Sequence, residues 1–332
     1  MEENLVDMRR LDRRGLDTRA QKSDLVTWQG REALRLENGL ALIPDLQMPD
    51  ATVEVLVGAE GPAYAGVAFR VADVLNYELA YAVPHASGLW DALQYDPVFH
   101  GSNTWQVYHG ACYQGVAQVP TGRWFRLRLD VCGDCAALSV DDQPPLVVEK
   151  LARATGTASL TGRLGLWAFR PAYFCNLRVR PCAGLYVSCG DVSRVPMGTL
   201  TDWFLEGYGA VACEPNGTLN LGRYLPVTGE ARLLRRLEVA EETPLALASG
   251  FSDALTLTLD GETIFNGEHT FHGFADRPSR GYIEPGQHVV ERVLSAGTHT
   301  LGATLRASEP FGWGLTLAAH GEGLRWLPVE LG

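Results

Sequence analysis

The chain lacks any apolar run approaching the ~20 residues that a membrane-spanning helix requires. It also lacks an excess of basic charge: 28 Lys+Arg stand against 39 Asp+Glu, a net charge of −11. Neutralising phosphates takes clustered positive charge, so nucleic acid is not an expected partner, and neither is a membrane. Gly-x-Gly-x-x-Gly, a P-loop and a Gly-x-Ser-x-Gly elbow are all missing, which leaves nucleotide-binding and serine-hydrolase readings without support. Helical periodicity is equally scarce. Only Leu146 to Ala154 is expected to make a helical turn. No apolar stretch of the secretory kind follows Met1-Glu-Glu-Asn-Leu5, so the expectation is a cytoplasmic chain, or an exported one already trimmed. Arg9 to Lys22 mixes arginines with Asp12 and Asp17 and reads as a short amphipathic helix or a strand lying along the first domain.

What is present is a globular composition. The 332 residues are 46% hydrophobic and 20% charged, enough apolar material for a core in each of two domains. Seven cysteines, an odd number without an export signal, point to reduced thiols rather than a disulfide framework. Cys132-Gly-Asp-Cys135 has metal-knuckle spacing, but no second such pair exists, and Gly133-Asp134 is also a hairpin signal between strand-like runs. Asn216-Gly-Thr218 matches a glycosylation sequon and reads as a turn.

Period two dominates. Thr52–Val57, Gly66–Val71 and Tyr77–Tyr81 are short and β-rich. In Trp124–Val131 the alternation is strict, with Phe125, Leu127, Leu129 and Val131 pointing one way and Arg126, Arg128 and Asp130 the other. Asp141-Asp-Gln-Pro-Pro145 is a turn that only a sheet edge tolerates. Leu164–Phe169 and Tyr173–Val179 complete the first set. From Pro181 to Thr201, Gly and Pro come in quick succession, and strand grammar then resumes in Ala254–Leu259, Thr263–Phe265, His299–Leu305 and Trp313–Leu317. Asp260-Gly261 is a strong hairpin signal, and Asn266-Gly267 reads as a second turn. Trp203, Phe251 and Trp313 read as core. The fold class is therefore all-β, two antiparallel β-sandwich (jelly-roll) domains: residues 1–182, a linker at 183–200, and residues 201–332.

Gly66-Val-Ala-Phe-Arg70, Asn76-Tyr-Glu-Leu79, Gly122-Arg-Trp124, the hairpin at Val140-Asp-Asp142 and Gly162–Trp167 followed by Tyr173–Leu177 resemble, in that order, the concanavalin A-like lectin/glucanase sandwiches. The laminin-G-like and 3-keto-disaccharide-hydrolase-type branches are nearest. Gly250-Phe-Ser-Asp253, Leu259–Phe265, Leu294–Leu301 and Glu309–Gly314 resemble a galactose-binding-domain-like jelly roll. The resemblance implies carbohydrate association, and edge loops of such jelly rolls take sugars or calcium. The glucanase motif Glu-x-Asp-x-x-Glu, which places carboxylates on one strand face, does not occur in this chain.

The richest stretch for recognition is His85 to Tyr113. A sugar ring lies flat on an aromatic while polar groups fix its hydroxyls, and this stretch supplies both kinds of residue. The candidate ligand-binding residues are Trp90, Asp91, Tyr95, Asn103, Trp105, Tyr108, His109 and Tyr113, facing an oligo- or polysaccharide. No His-x-His or His-x-x-x-His spacing appears, so no metal site is assigned. The reading is a non-catalytic sugar-associated protein, with the second domain as accessory module or homodimer contact. One alternative is a glycoside or keto-sugar hydrolase using Asp91, Asp96, His100 or His109. Another is a structural or protein-interaction module. In the second domain His269, Phe271, His272, Asp276, Arg277 and Arg280 form a further candidate cluster.

Overall fold

The computed structural model describes residues 4–15, 22–152, 162–185, 195–227, 229–272 and 279–329. Regular structure is almost wholly antiparallel strand. The helical pieces among these residues are three single 3-10 turns, at Met8–Arg10, Pro84–Ala86 and Leu221–Arg223. The chain forms two compact units. One comprises residues 1–101 and 108–190; the other comprises 191–332 together with the excursion 102–107.

The first unit is a sandwich. One sheet runs in the order Leu146–Val148, Cys135–Val140, Phe125–Cys132, Ala51–Gly58, Ala172–Pro181, Arg31–Glu37, Lys22–Trp28, with Asn4–Leu5 also paired to Ala172–Pro181. The other runs Gln114–Gly115, Leu93–Tyr95, Glu78–Ala82, Tyr64–Val71, Arg163–Phe169, Gly39–Gln47, Asp12–Gly15. Phe125–Cys132 follows the alternation of its sequence, with Phe125, Leu127, Leu129 and Val131 at most 1% exposed. Its hairpin partner is reached through Gly133, whose φ of 57° suits the tight turn, and Cys132 and Cys135 face each other across it. The six cysteines Cys112, Cys132, Cys135, Cys175, Cys182 and Cys213 are free thiols.

The helical turn expected from Leu146 is instead the edge strand Leu146–Val148. Burial of Leu146 and Val148 with Val147 exposed is period two, and pairing with Cys135–Val140 captures the backbone groups that a helix would otherwise satisfy. Residues 153 and 154 lie outside the described part of the chain.

The second unit is a jelly-roll sandwich. Its larger sheet runs Gly209–Ala212, Asp202–Leu205, Gly229–Val239, Gly297–Ala307, Ala254–Leu259, Glu262–Glu268, with Arg325–Trp326 also paired to Gly229–Val239. The smaller runs Leu219–Asn220, Gly314–His320, Thr243–Ser252, His288–Leu294. Trp203, Phe251, Trp313, Leu315 and Leu317 fill the space between them. Asp260 and Gly261, at φ 49° and 85°, make the expected hairpin turn. Asn266-Gly267 does not turn the chain. Both residues lie inside Glu262–Glu268 and pair with Thr256 and Leu255, and a Cβ on Gly267 would come within 2.8 Å of the Phe265 ring. The glycine is there for packing.

Candidate functional site

The register of the seven-stranded sheet of the first unit sets up the candidate site. Leu40 opposes Trp167, Trp167 opposes Gly66, Gly66 opposes Tyr81, Tyr81 opposes Gln94, and Gln94 opposes Gln114. Directly opposed residues point to the same side of a sheet, so this row shares one face. It is the outer one. Ala80 and Tyr95 are opposed on the other face, and there the Tyr95 hydroxyl accepts a hydrogen bond from Ala152 N (2.7 Å), just past the edge strand of the partner sheet.

Glycine at position 66 is what lets two large rings meet across the row. A Cβ there would collide with the Ala80 carbonyl and the Tyr81 backbone. With only hydrogen in that place, the Tyr81 and Trp167 rings approach to 5.2 Å between centroids. One step along the strands, Tyr64 opposes Phe169 and packs at 5.7 Å from it, 6.1 Å from Tyr81 and 4.9 Å from the His85 imidazole. Leu40, Leu42, Ala68 and Leu79 extend this cluster. Offset and edge-on ring contacts of this kind are favoured by the aromatic quadrupole.

Beside the rings stands a buried polar array. The Tyr81 hydroxyl has Gln94 Oε1 at 3.2 Å and Asp96 Oδ2 at 3.3 Å, two acceptors for its single proton. Gln94 Nε2 donates to the Asp91 carbonyl (3.1 Å), and Gln114 Oε1 accepts from Gly110 N (2.7 Å). Asp96 is fully buried, and Asp91, Gln94 and Gln114 nearly so. This array fixes the ring positions. The rim of the array is more open: Tyr64 and Phe169 are half-buried and His85 and Arg170 are exposed. Trp90 is 46% exposed on the segment that follows the Pro84–Ala86 turn. Partial burial depresses the His85 pKa. The Ala63 backbone hydrogen bond and Asp91 pull it up, and Arg170 pushes it further down. The imidazole is therefore neutral at pH 7, one nitrogen donating and the other accepting.

The residues expected to form one groove fall in three places. The Asp91 carbonyl meets Gln94 of the outer face, and Trp90 precedes it in the chain, half exposed. Tyr95 points inward and donates to the Glu78 carboxylate. Tyr95, Tyr108 and Tyr113 pack as a trio, with centroid separations of 5.9, 6.2 and 5.3 Å. Tyr95 and Tyr108 are buried and Tyr113 and His109 half-buried, so the trio supports the sheet from within. Asn103 and Trp105 belong to the excursion that is part of the second unit. His100 is exposed on a turn at φ 49°, its N–H donating to Asn76 Oδ1 (3.1 Å), and is not part of the buried array that holds Asp96. Tyr64, Tyr81, Gln94, Gln114, Trp167 and Phe169 were not among the residues read from sequence. They are strand residues far apart in the chain, and only the register brings them together.

Within the second unit, Trp105 sits among Phe311 (5.0 Å), Phe271 (5.8 Å) and Tyr282 (5.8 Å). Gln106 is fully buried. Its Oε1 accepts from Ser252 Oγ (2.9 Å) and its Nε2 donates to Glu309 (3.0 Å), while its backbone carbonyl accepts from Ile283 N (3.0 Å). His269, from the candidate cluster of this unit, lies against the Phe251 carbonyl (3.2 Å) and Ser279 Oγ (3.3 Å). Asp276 and Arg277 lie outside the described residues. Among the described residues no three His, Cys, Asp or Glu side chains converge as a metal site.

No protein-family model matches the sequence, and no curated protein matches it. Several solved structures are similar to it. A carbohydrate-binding module (CBM66) from Bacillus subtilis aligns at 16% identity over 48% of this chain and 92% of its own, with a TM-score of 0.36. A Bacillus subtilis protein of unknown function with a galectin-like fold aligns at 12% over 55% and 95%, with a TM-score of 0.41. Domain 4 of an extracellular GH43 arabinanase from Geobacillus stearothermophilus, solved with arabinotriose, aligns at 11% over 52% and 81%, with a TM-score of 0.30.

Proposed function

We propose that the first unit binds carbohydrate at the rim of its outer sheet face. The carrying observation is the packing of both the Phe169 and His85 rings against Tyr64, which also adjoins Tyr81 of the buried Tyr81–Gln94–Asp96 array. Half-buried aromatic rings are the platform on which the apolar face of a pyranose or furanose lies, and adjacent polar groups select its hydroxyl pattern. In this reading Tyr64 and Trp90 are the stacking residues. His85 and Arg170, exposed at the rim, supply donors and acceptors, and Asp91 acts from behind them within the buried array. Tyr95, Tyr108 and Tyr113 act from the interior by holding the sheet.

A glycan array followed by titration of the best oligosaccharide tests this reading. Tyr64→Ala and Trp90→Ala are each expected to weaken binding at least tenfold, whereas Trp105→Ala leaves it within twofold. No binding to any glycan overturns the proposal, and so does binding indifferent to both rim variants. The same glycans, incubated and analysed for cleaved products, test the hydrolase alternative, in which Asp91→Asn abolishes turnover.

A further inference from the structure

The strand His288–Leu294 ends the smaller sheet of the second unit. It pairs with Thr243–Ser252 on one side, and no described strand pairs on the other. Its inner-face residues are committed: Val290 and Leu294 pack on the core, and Arg292 Nη2 donates to the Ile264 carbonyl (3.3 Å). Its outer-face residues alternate Val289, Glu291, Val293, and the two valines are 60% and 64% exposed. A seven-residue edge with bare valines, whose Glu291 carbonyl meets only the neighbouring Arg292 guanidinium (2.7 Å) rather than a further strand, is a template for another strand.

The ground beside it is shaped and charged. Val289 opposes Ala248, which opposes Ala318; Glu291 opposes Ala246, which opposes His320; Val293 opposes Pro244. Small residues on the central strand leave a trough. A groove of about 940 Å³ opens at its Pro244 end, bordered by Glu241, Glu242, Glu291 and Glu322.

We infer that this edge is a docking site for an extended, basic protein segment that adds to the sheet as a further strand, its sequence alternating apolar, basic, apolar on the face that meets Val289, Glu291 and Val293. The charge selects this occupant over a second copy of the chain. Two copies pairing antiparallel about a twofold axis, with Val289 opposite Val293, would set Glu291 against Glu291, and like charges directly opposed destabilise a pair of strands. A lysine or arginine at that position faces the Glu291 carboxylate directly, on the side of the sheet where Glu241, Glu242 and Glu322 also border the groove.

The test uses the full-length protein and two fluorescein-labelled peptides, Thr-Val-Thr-Lys-Thr-Val-Thr and its counterpart with glutamate in place of lysine. Fluorescence anisotropy is expected to show the lysine peptide binding at least fivefold tighter at low salt, with the difference shrinking as salt screens it. In Glu291→Lys, a solvent-exposed substitution that keeps the strand, the preference is expected to reverse. Equal binding of the two peptides, binding of neither, or an unaltered preference in Glu291→Lys each overturn the inference. So does a dimer in sedimentation that Val289→Lys together with Val293→Lys dissociates, because the edge would then belong to a second copy.

Discussion

Tyr95 donates its phenolic hydrogen to the carboxylate of Glu78 on the inner face of the first unit, and the same oxygen accepts from the backbone of Ala152. Burial and the neighbouring carboxylate drive the phenol pKa far above its ordinary value, so Tyr95 stays neutral across the accessible pH range. Tyr95→Phe removes the donor from a fully buried carboxylate and the acceptor from Ala152. The expected cost is about 1–3 kcal/mol for leaving such groups without this partner, read as a lower midpoint in urea unfolding.

Gly66→Ala tests the aromatic row. The added methyl has to displace the strand that carries Tyr81, because backbone rather than a flexible side chain stands in its way. Overpacking of this kind costs about 1–3 kcal/mol. The near-ultraviolet circular dichroism of the Tyr81–Trp167 contact is expected to fall with it. If carbohydrate binds where proposed, affinity falls in the same variant although no ligand-contacting residue has changed.

Trp105 and Gln106 knit the excursion into the second unit. Trp105→Ala empties a cage of three rings, and because the indole is only half-buried the loss is expected toward the lower end of the ~3–5 kcal/mol typical of buried aromatic truncations. Hydrogen exchange should quicken at Phe271, Ile283 and Glu309, whose amides are bonded in this region.

His299 gives the second unit a pH response of defined sign. Its Nε2 meets the Ser295 carbonyl at 2.8 Å and its Nδ1 meets Asp260 at 2.6 Å, so the doubly protonated ring suits both partners and its pKa is raised. Burial opposes ionisation of Asp260, but the Thr300 N–H and His299 outweigh it and its pKa is lowered. The imidazolium contribution is fully present below the unfolded value of ~6.5 and is lost as pH rises through the higher folded value. The carboxylate contribution is present above ~3.9 and is lost as pH falls through the lower folded value. Stability in urea is expected to decline from pH 6 to 8, and His299→Asn should flatten that decline. Proton NMR of the imidazoles offers an independent check. His299 should titrate above ~6.5, and His85 and His288, both depressed first by burial, below it.

Alternation in Phe125–Cys132, the Asp260-Gly261 turn and the buried Trp203, Phe251 and Trp313 were all legible in the sequence, because each depends on neighbours within a few residues or on hydrophobicity alone. The strand at Leu146–Val148 was not, since a three-residue apolar run carries no period and an edge pairing settled its conformation. Asn266-Gly267 misled for a related reason: the glycine clears space for Phe265 rather than reversing the chain.

The candidate site shows the same division. A concentration of rings and polar groups between His85 and Tyr113 is a property of the sequence, but which of them face outward is not. Tyr81 and Tyr95 are both strand tyrosines, and one residue of register separates a ring on the outer face from one buried against Glu78. Local pattern fixed the all-β class and most of the strands by itself. The tertiary structure alone decided that Tyr64, Tyr81, Trp167 and Gln94 share one face of the sheet, because cross-strand register is set by long-range pairing, and the missing side chain of Gly66 lets the rings close over it.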